Sequence, residues 1–78
     1  MARSWEHRLE NYFVFCEGAD VFGDVKKNIQ YSLGWVPSGT IVFDSYVYQN
    51  PVGEKIGRFD DLSTAQEAVE KECIKRSI

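Results

Sequence analysis

Apolar residues recur along the chain in patterns that predict three strands. Residues 11–17 contain the run Tyr-Phe-Val-Phe-Cys, which is aromatic and β-branched and is typical of a strand covered on both faces. Residues 40–49 alternate between an apolar face and a more polar face that carries two tyrosines. The next four residues, Asn-Pro-Val-Gly, favour a type I turn. We therefore expect a four-residue hairpin loop and a third strand at residues 54–59, with Val47 opposite Ile56.

A helical period follows the first strand. Over residues 21–33, Val21, Val25 and Ile29 fall on one side of a helical wheel. A strand through the same segment would place Lys27 on the face of Val25 and Ile29, so we favour the helix over this alternative. The segment is predicted to be an amphipathic helix.

The C-terminal segment predicts a second helix, at residues 64–75. Its apolar positions form one stripe that ends with Cys73. Ser63 and Gln66 have the spacing of a capping box, in which each side chain satisfies a backbone donor at the helix start. We therefore place the N-cap at Ser63.

Together these elements predict a single α+β domain spanning residues 1–78. The order is strand-helix-strand-strand-helix (β-α-β-β-α), and the last two strands form an antiparallel hairpin. The simplest packing places both helices on one face of a three-stranded sheet. Residues 1–10 are mostly polar and charged, so we expect them to fray or to form a short helical turn.

Size and charge narrow the range of partners. A chain of 78 residues supports one hydrophobic core, and forming a homodimer would add to its stability. Nine basic residues are spread among twelve acidic ones, a net charge of −3, which argues against nucleic acid as a partner. No run approaches the ~20 apolar residues that cross a membrane, and the first residues lack the apolar core of a secretory signal. We expect a cytoplasmic protein without a membrane partner.

Residue types that carry catalysis and metal binding are sparse. His7 is the single histidine and lies in the polar N-terminal segment. Cys16 and Cys73 form no Cys-x-x-Cys pair, so we expect two reduced, buried thiols, which with one histidine make no closed zinc site. The six glycines have neither Walker nor dinucleotide spacing. We therefore expect no catalytic residue, no metal, no cofactor and no small-molecule substrate.

Aromatic residues make up 14% of the chain, more than the predicted core needs. With both helices on one face, the tyrosines of the central strand are exposed on the other, and exposed aromatic clusters are enriched at protein interfaces. The alternative is an ordinary solvated sheet with cross-strand tyrosine pairs. The predicted partner-binding residues are Tyr31, Trp35, Asp44, Tyr46 and Tyr48.

These observations favour a small, acidic, non-enzymatic binding protein. We expect it to dock an aromatic, acid-rimmed surface stoichiometrically onto a larger protein or onto its own copy. Adaptors and inhibitors act in this way, including those that phages and mobile elements direct against host machinery. The alternative is a nucleic-acid-related module, either a stacking surface for bases or an acidic mimic that blocks a nucleic-acid-binding protein. Asp44 argues against stacking because it lies among the tyrosines, whereas Lys55 and Arg58 would support it.

Overall fold

The computed structural model describes residues 3–31, 39–49 and 52–78, with Tyr31 described by its backbone alone. Within these ranges the chain forms five strands and one helix: β1 (Ser4–Leu9), β2 (Tyr12–Glu17), β3 (Asp20–Tyr31), β4 (Gly39–Gln49), β5 (Val52–Phe59) and α1 (Leu62–Lys75). The strands pair antiparallel in sequence order. The sheet is therefore a meander with β1 and β5 at its two edges.

The predicted fold class, a three-stranded sheet with two helices, is wrong because residues 21–33 were assigned to a helix. Most of this segment lies in β3, which pairs with both β2 and β4. Val25 and Ile29 are four residues apart, an even spacing that fits the two-residue period of a strand as well as the period of a helix. Lys27 does share their face, but β3 is leaving the core at this point, so its position there is tolerated.

The N-terminal segment, which we expected to fray or to form a helical turn, is instead an edge strand. Residues of β1 pair with β2 from Ser4, opposite Cys16, to Leu9, opposite Tyr12. Trp5 packs on the core, and its ring stacks on Phe15 with 5.0 Å between ring centroids. Partial burial of this one large side chain anchors a strand that is otherwise exposed.

The strands predicted at residues 11–17, 40–49 and 54–59 are confirmed as β2, β4 and β5, but the predicted hairpin register is wrong. Val47 lies opposite Glu54, and Gln49 pairs with Val52, so two residues rather than four connect the strands. Both connecting residues lie outside the described ranges. The pairing also shifts between Ser45 and Tyr46, which makes Ile56 the extra residue of a bulge on β5.

The core lies between the sheet and α1. Buried Phe15, Val25 and Val47 on the sheet pack against Ala65 and Val69 on the helix. Ser45, also buried, donates a hydrogen bond from its hydroxyl to the backbone oxygen of Ala65 at 2.8 Å. At the closest approach, a Cβ added to Gly23 would lie 2.5 Å from Cγ1 of Val69, so only glycine allows the helix to lie this close to β3.

The C-terminal helix is confirmed, but its N-cap is not the predicted one. The cap is Asp61, whose carboxylate accepts a hydrogen bond from the backbone nitrogen of Thr64 at 3.1 Å. Ser63 lies inside the first turn. The helix therefore begins two residues earlier than the capping-box pattern indicated.

Beyond the sheet, β3 and β4 continue as a two-stranded ribbon. Pairing with β2 ends at Lys26, and pairing with β5 ends at Phe43. Among the described residues, residues 28–31 and 39–42 therefore pair only with each other. The ribbon carries an exposed cross-strand pair, Ile29 opposite Ile41, with exposed fractions of 56% and 48%.

Candidate functional site

The side of the sheet opposite α1 gathers most of the polar chemistry of the chain, and we name it the tyrosine face. Ser45 and Val47 contact α1, so the alternating Asp44, Tyr46 and Tyr48 point away from the helix. Hydrogen bonds, ion pairs and cation–π contacts join side chains from all five strands on this side. Its polar and aromatic members are Glu6, Arg8, Tyr12, Cys16, Asp24, Lys26, Asn28, Asp44, Tyr46, Tyr48, Lys55 and Arg58.

Asp24 forms the centre of the tyrosine face. Its side chain is fully buried, and its Oδ2 accepts hydrogen bonds from the hydroxyls of Tyr12, at 2.7 Å, and Tyr48. Burial and the nearby carboxylate raise the pKa of both tyrosines, so the two hydroxyls remain donors at neutral pH. Oδ1 of Asp24 is buried and accepts no hydrogen bond from a described residue. The cluster therefore ties β2, β3 and β4 together through one carboxylate.

Asp44 forms a second buried cluster. Its side chain accepts hydrogen bonds from Nε of Arg58 at 2.7 Å and from the amide of Asn28 at 2.5 Å, and Nζ of Lys55 lies 3.4 Å away. The hydrogen bond from Arg58 is the main reason that the pKa of Asp44 is lower than usual, although burial opposes it. Asp44 is only 2% exposed, so its charge is neutralised within the chain rather than presented to solvent.

Lys26 lies above the aromatic rings. Its Nζ is 5.0 Å from the ring centroid of Tyr46 and 6.0 Å from that of Tyr12, within the range of a cation–π contact. Lys26 is exposed, whereas both rings are half-buried. The rings and the cation therefore present one joint surface.

At the β1 end of the tyrosine face, the Cys16 thiol donates to the Glu6 carboxylate at 2.7 Å. Nη2 of Arg8 lies 3.7 Å from the same carboxylate. The hydrogen bond to Glu6 raises the pKa of the Cys16 thiol, which holds the sulfur in its unreactive protonated form. Cys73 lies on the helix side and donates to the backbone oxygen of Phe22, so both cysteines are free and buried, as predicted from the sequence.

Charge is divided unequally between the tyrosine face and the remainder of the chain. The face carries four cations and three carboxylates, a formal charge of +1, and the rest carries five cations and nine carboxylates, a formal charge of −4. Two of the three carboxylates on the face are buried, whereas all four cations are exposed. The exposed rim is therefore mainly basic, and the expected acid-rimmed surface is not found there.

The structure brings together three of the five predicted partner-binding residues. Asp44, Tyr46 and Tyr48 share the tyrosine face, but Asp44 is buried, and Tyr48 is half-buried and bound to Asp24. Tyr31 is the last residue of β3, paired with Gly39, and its side chain is not described. Trp35 lies outside the described residues.

The residues of this face that come from β1 and β3 were missed by the sequence analysis, and three of them matter most for the charge of the face. Asp24 and Lys26 were assigned to the predicted helix, and Arg8 to a frayed terminus. Reading residues 20–31 with a period of two would have placed Asp24 and Lys26 on one face of a strand, and the β3–β4 pairing then brings Asp24 opposite Tyr46. No pattern in residues 4–9 indicates that Arg8 belongs there.

Other features of the described residues add little chemistry. They contain no group of three or more His, Cys, Asp or Glu side chains that could hold a metal ion. Within the same ranges, no helix is long and apolar enough to cross a membrane. An open groove lies where the ribbon leaves the sheet, between residues 9–12 and residues 26–28.

No protein-family model, curated protein or solved structure matches this chain.

Proposed function

We propose that the chain is a non-enzymatic binding protein that docks its tyrosine face stoichiometrically onto another protein. The observation that supports this most directly is the arrangement of four exposed cations around three half-buried tyrosines, while the remainder of the chain is acidic. Tyrosine and arginine are the residue types most enriched at the energetic centres of protein interfaces. A partner that fits this face presents carboxylates beside apolar groups.

The buried clusters favour binding over catalysis. Asp24 is held by two tyrosine hydroxyls and Asp44 by Arg58 and Asn28, so both carboxylates have structural partners within the chain. Such closed clusters fix the orientation of the rings and cations around them, and a rigid surface loses little conformational entropy on binding. The face is therefore preorganised for docking.

Affinity capture from the native cell with matched variants tests the proposal. The binding variant combines Tyr46→Ser with Lys26→Gln, which removes a ring and a cation from the tyrosine face. The control is Lys75→Gln, which removes one charge from the exposed helix side. Tyr48 is left intact because its hydroxyl supports the buried Asp24.

We expect a partner that the wild type and Lys75→Gln retain and that the binding variant loses. With the purified partner, calorimetry should give a fixed stoichiometry and a dissociation constant at least about tenfold weaker for the binding variant. Circular dichroism checks that each variant is folded. A partner that binds all three chains equally would exclude the tyrosine face as the docking surface.

One observation also favours the second candidate, a stacking surface for single-stranded nucleic acid. Asp44, the acidic residue that argued against stacking, is buried and neutralised, while Lys26 lies over two tyrosine rings. Titration of a fluorescent single-stranded oligonucleotide at low and at physiological salt separates the candidates. Salt-sensitive binding that is lost in the Tyr46→Ser and Lys26→Gln variant would favour nucleic acid, and no saturable binding is the result that protein docking predicts.

We place this activity in the cytoplasm. The two cysteines are buried on opposite sides of the sheet, where they do not pair within the chain. Free thiols of this kind are usual in a reducing compartment.

A further inference from the structure

The outer edge of β1 is open in the described part of the chain. β1 is the first strand of the sheet, and on its other side it pairs only with β2. An edge strand presents a row of backbone donors and acceptors to a further strand. α1 contacts β3, β4 and β5, so the helix lies away from this edge.

The side chains of β1 are complementary to a second copy of the same strand. When two copies pair antiparallel about a two-fold axis at His7, Glu6 of each copy lies opposite Arg8 of the other. In the same register His7 lies opposite its own counterpart. Moving the axis by one residue, to Glu6, would instead place two glutamates opposite each other. Pairs of opposite charge stabilise neighbouring strands and like charges destabilise them, so the first register is favoured.

Contacts within one copy show that these side chains have the required directions. Glu6 and Arg8 both contact Cys16 on the tyrosine face, although Arg8 is the extra residue of a bulge in the β1–β2 pairing. Both are about half-exposed, at 50% and 43% of their side-chain surface. Leu9 pairs with Tyr12, so it lies on the same face, where it is 69% exposed.

We propose that the chain forms a homodimer in which two β1 strands pair antiparallel, giving a continuous ten-stranded sheet with Glu6 bound to Arg8 across the two-fold axis. The axis is perpendicular to the sheet, so both helices lie on one side and both tyrosine faces on the other. A domain of this size gains stability from such pairing because its single core is small.

Charge reversal with rescue in trans tests the dimer. Glu6→Arg places two arginines opposite each other across the axis, and Arg8→Glu places two glutamates there. We expect each variant alone to raise the dimer dissociation constant about tenfold or more, measured by sedimentation equilibrium. An equimolar mixture should form heterodimers, because arginine in one copy then lies opposite glutamate in the other. Repair of a contact within one copy cannot explain such rescue.

A second pair of variants keeps the test valid if a reversed charge prevents folding. Leu9→Asp should weaken the dimer because a charged side chain in an edge strand disfavours pairing with a further strand. The control is Ile74→Asp, which changes a similarly exposed apolar residue on the helix, 78% against 69% for Leu9, and should leave the dimer intact. A wild type that remains monomeric at high concentration would overturn the proposal, as would folded variants that dimerise like the wild type or a mixture that remains monomeric.

Discussion

Asp24 connects the strands of the tyrosine face through its hydrogen bonds to two tyrosines. A fully buried carboxylate is costly unless several donors satisfy it, and here the hydroxyls of Tyr12 and Tyr48 both donate to Oδ2. No described residue donates a hydrogen bond to Oδ1 of Asp24. If either tyrosine hydroxyl is lost, no other described donor is therefore in place to replace it.

Tyr48→Phe should therefore destabilise the fold while leaving the ring in place. Removing one hydrogen bond to a buried carboxylate costs about 1.5–3 kcal/mol, which urea unfolding can measure. Tyr46→Phe is the matched control, since it removes a hydroxyl from the same strand and face without removing a hydrogen bond to Asp24. Its expected effect is within about 0.5 kcal/mol. Equal losses in the two variants would show that Asp24 does not depend on Tyr48.

Among the elements, α1 was predicted nearly correctly and β3 was not. The apolar residues of α1 recur every three to four residues, a spacing that a strand does not show. The apolar spacing of β3 is compatible with both a helix and a strand. Its neighbours decide the outcome, because β2 and β4 provide backbone partners along most of β3. A helix here would leave β2 and β4 unpaired on that side, and tertiary pairing overrides the local pattern.

The N-cap assignment of α1 can be tested by mutation. Asp61→Ala removes the carboxylate that accepts from the backbone of Thr64, and loss of an N-cap costs about 0.5–2 kcal/mol of stability. Ser63→Ala should cost less than about 0.5 kcal/mol, because Ser63 lies within the first turn. Thermal or urea unfolding of the two variants measures the difference. A larger loss for Ser63→Ala would restore the capping-box assignment.

At the scale of the whole molecule, one helix covers one side of the sheet and polar clusters organise the other. The core side holds the sheet and helix together by apolar contacts. On the tyrosine face, buried carboxylates cross-link neighbouring strands and leave the cations exposed. Because a titratable carboxylate, Asp44, takes part in these clusters, the free energy of unfolding should depend on pH.

Asp44 should make the folded state less stable in acid. Its pKa is lowered in the folded chain, chiefly by the hydrogen bond from Arg58. As the pH falls towards the ordinary carboxyl pKa of about 3.9, the unfolded chain binds the proton first, so the free energy of unfolding decreases. The contribution of Asp44 is present above that pH and is lost as the pH falls through its folded pKa.

Urea unfolding at a series of pH values between neutral and strongly acidic measures this dependence. Asp44→Asn should be less stable than the wild type at neutral pH and should lose less stability in acid. Arg58→Gln should also flatten the profile, because the main cause of the lowered pKa is removed. If Asp44→Asn and the wild type show the same slope, the acid sensitivity has another origin.

The sequence by itself determined the secondary structure of those segments whose residue pattern is compatible with only one element. The aromatic and β-branched run of β2, the alternation of β4 and the apolar stripe of α1 each favour one structure, so the local sequence is sufficient there. For the same reason, the sequence placed Asp44, Tyr46 and Tyr48 together on one face.

Only the tertiary structure decided the identity of β3, the pairing of β1 and the register of the last hairpin. Each depends on hydrogen bonds to a neighbouring strand, which the apolar period of a single segment does not encode. The same reason explains the missed half of the site. Asp24 and Lys26 reach the tyrosines only after β3 has paired with β4, because a strand places alternate side chains beside those of its neighbours.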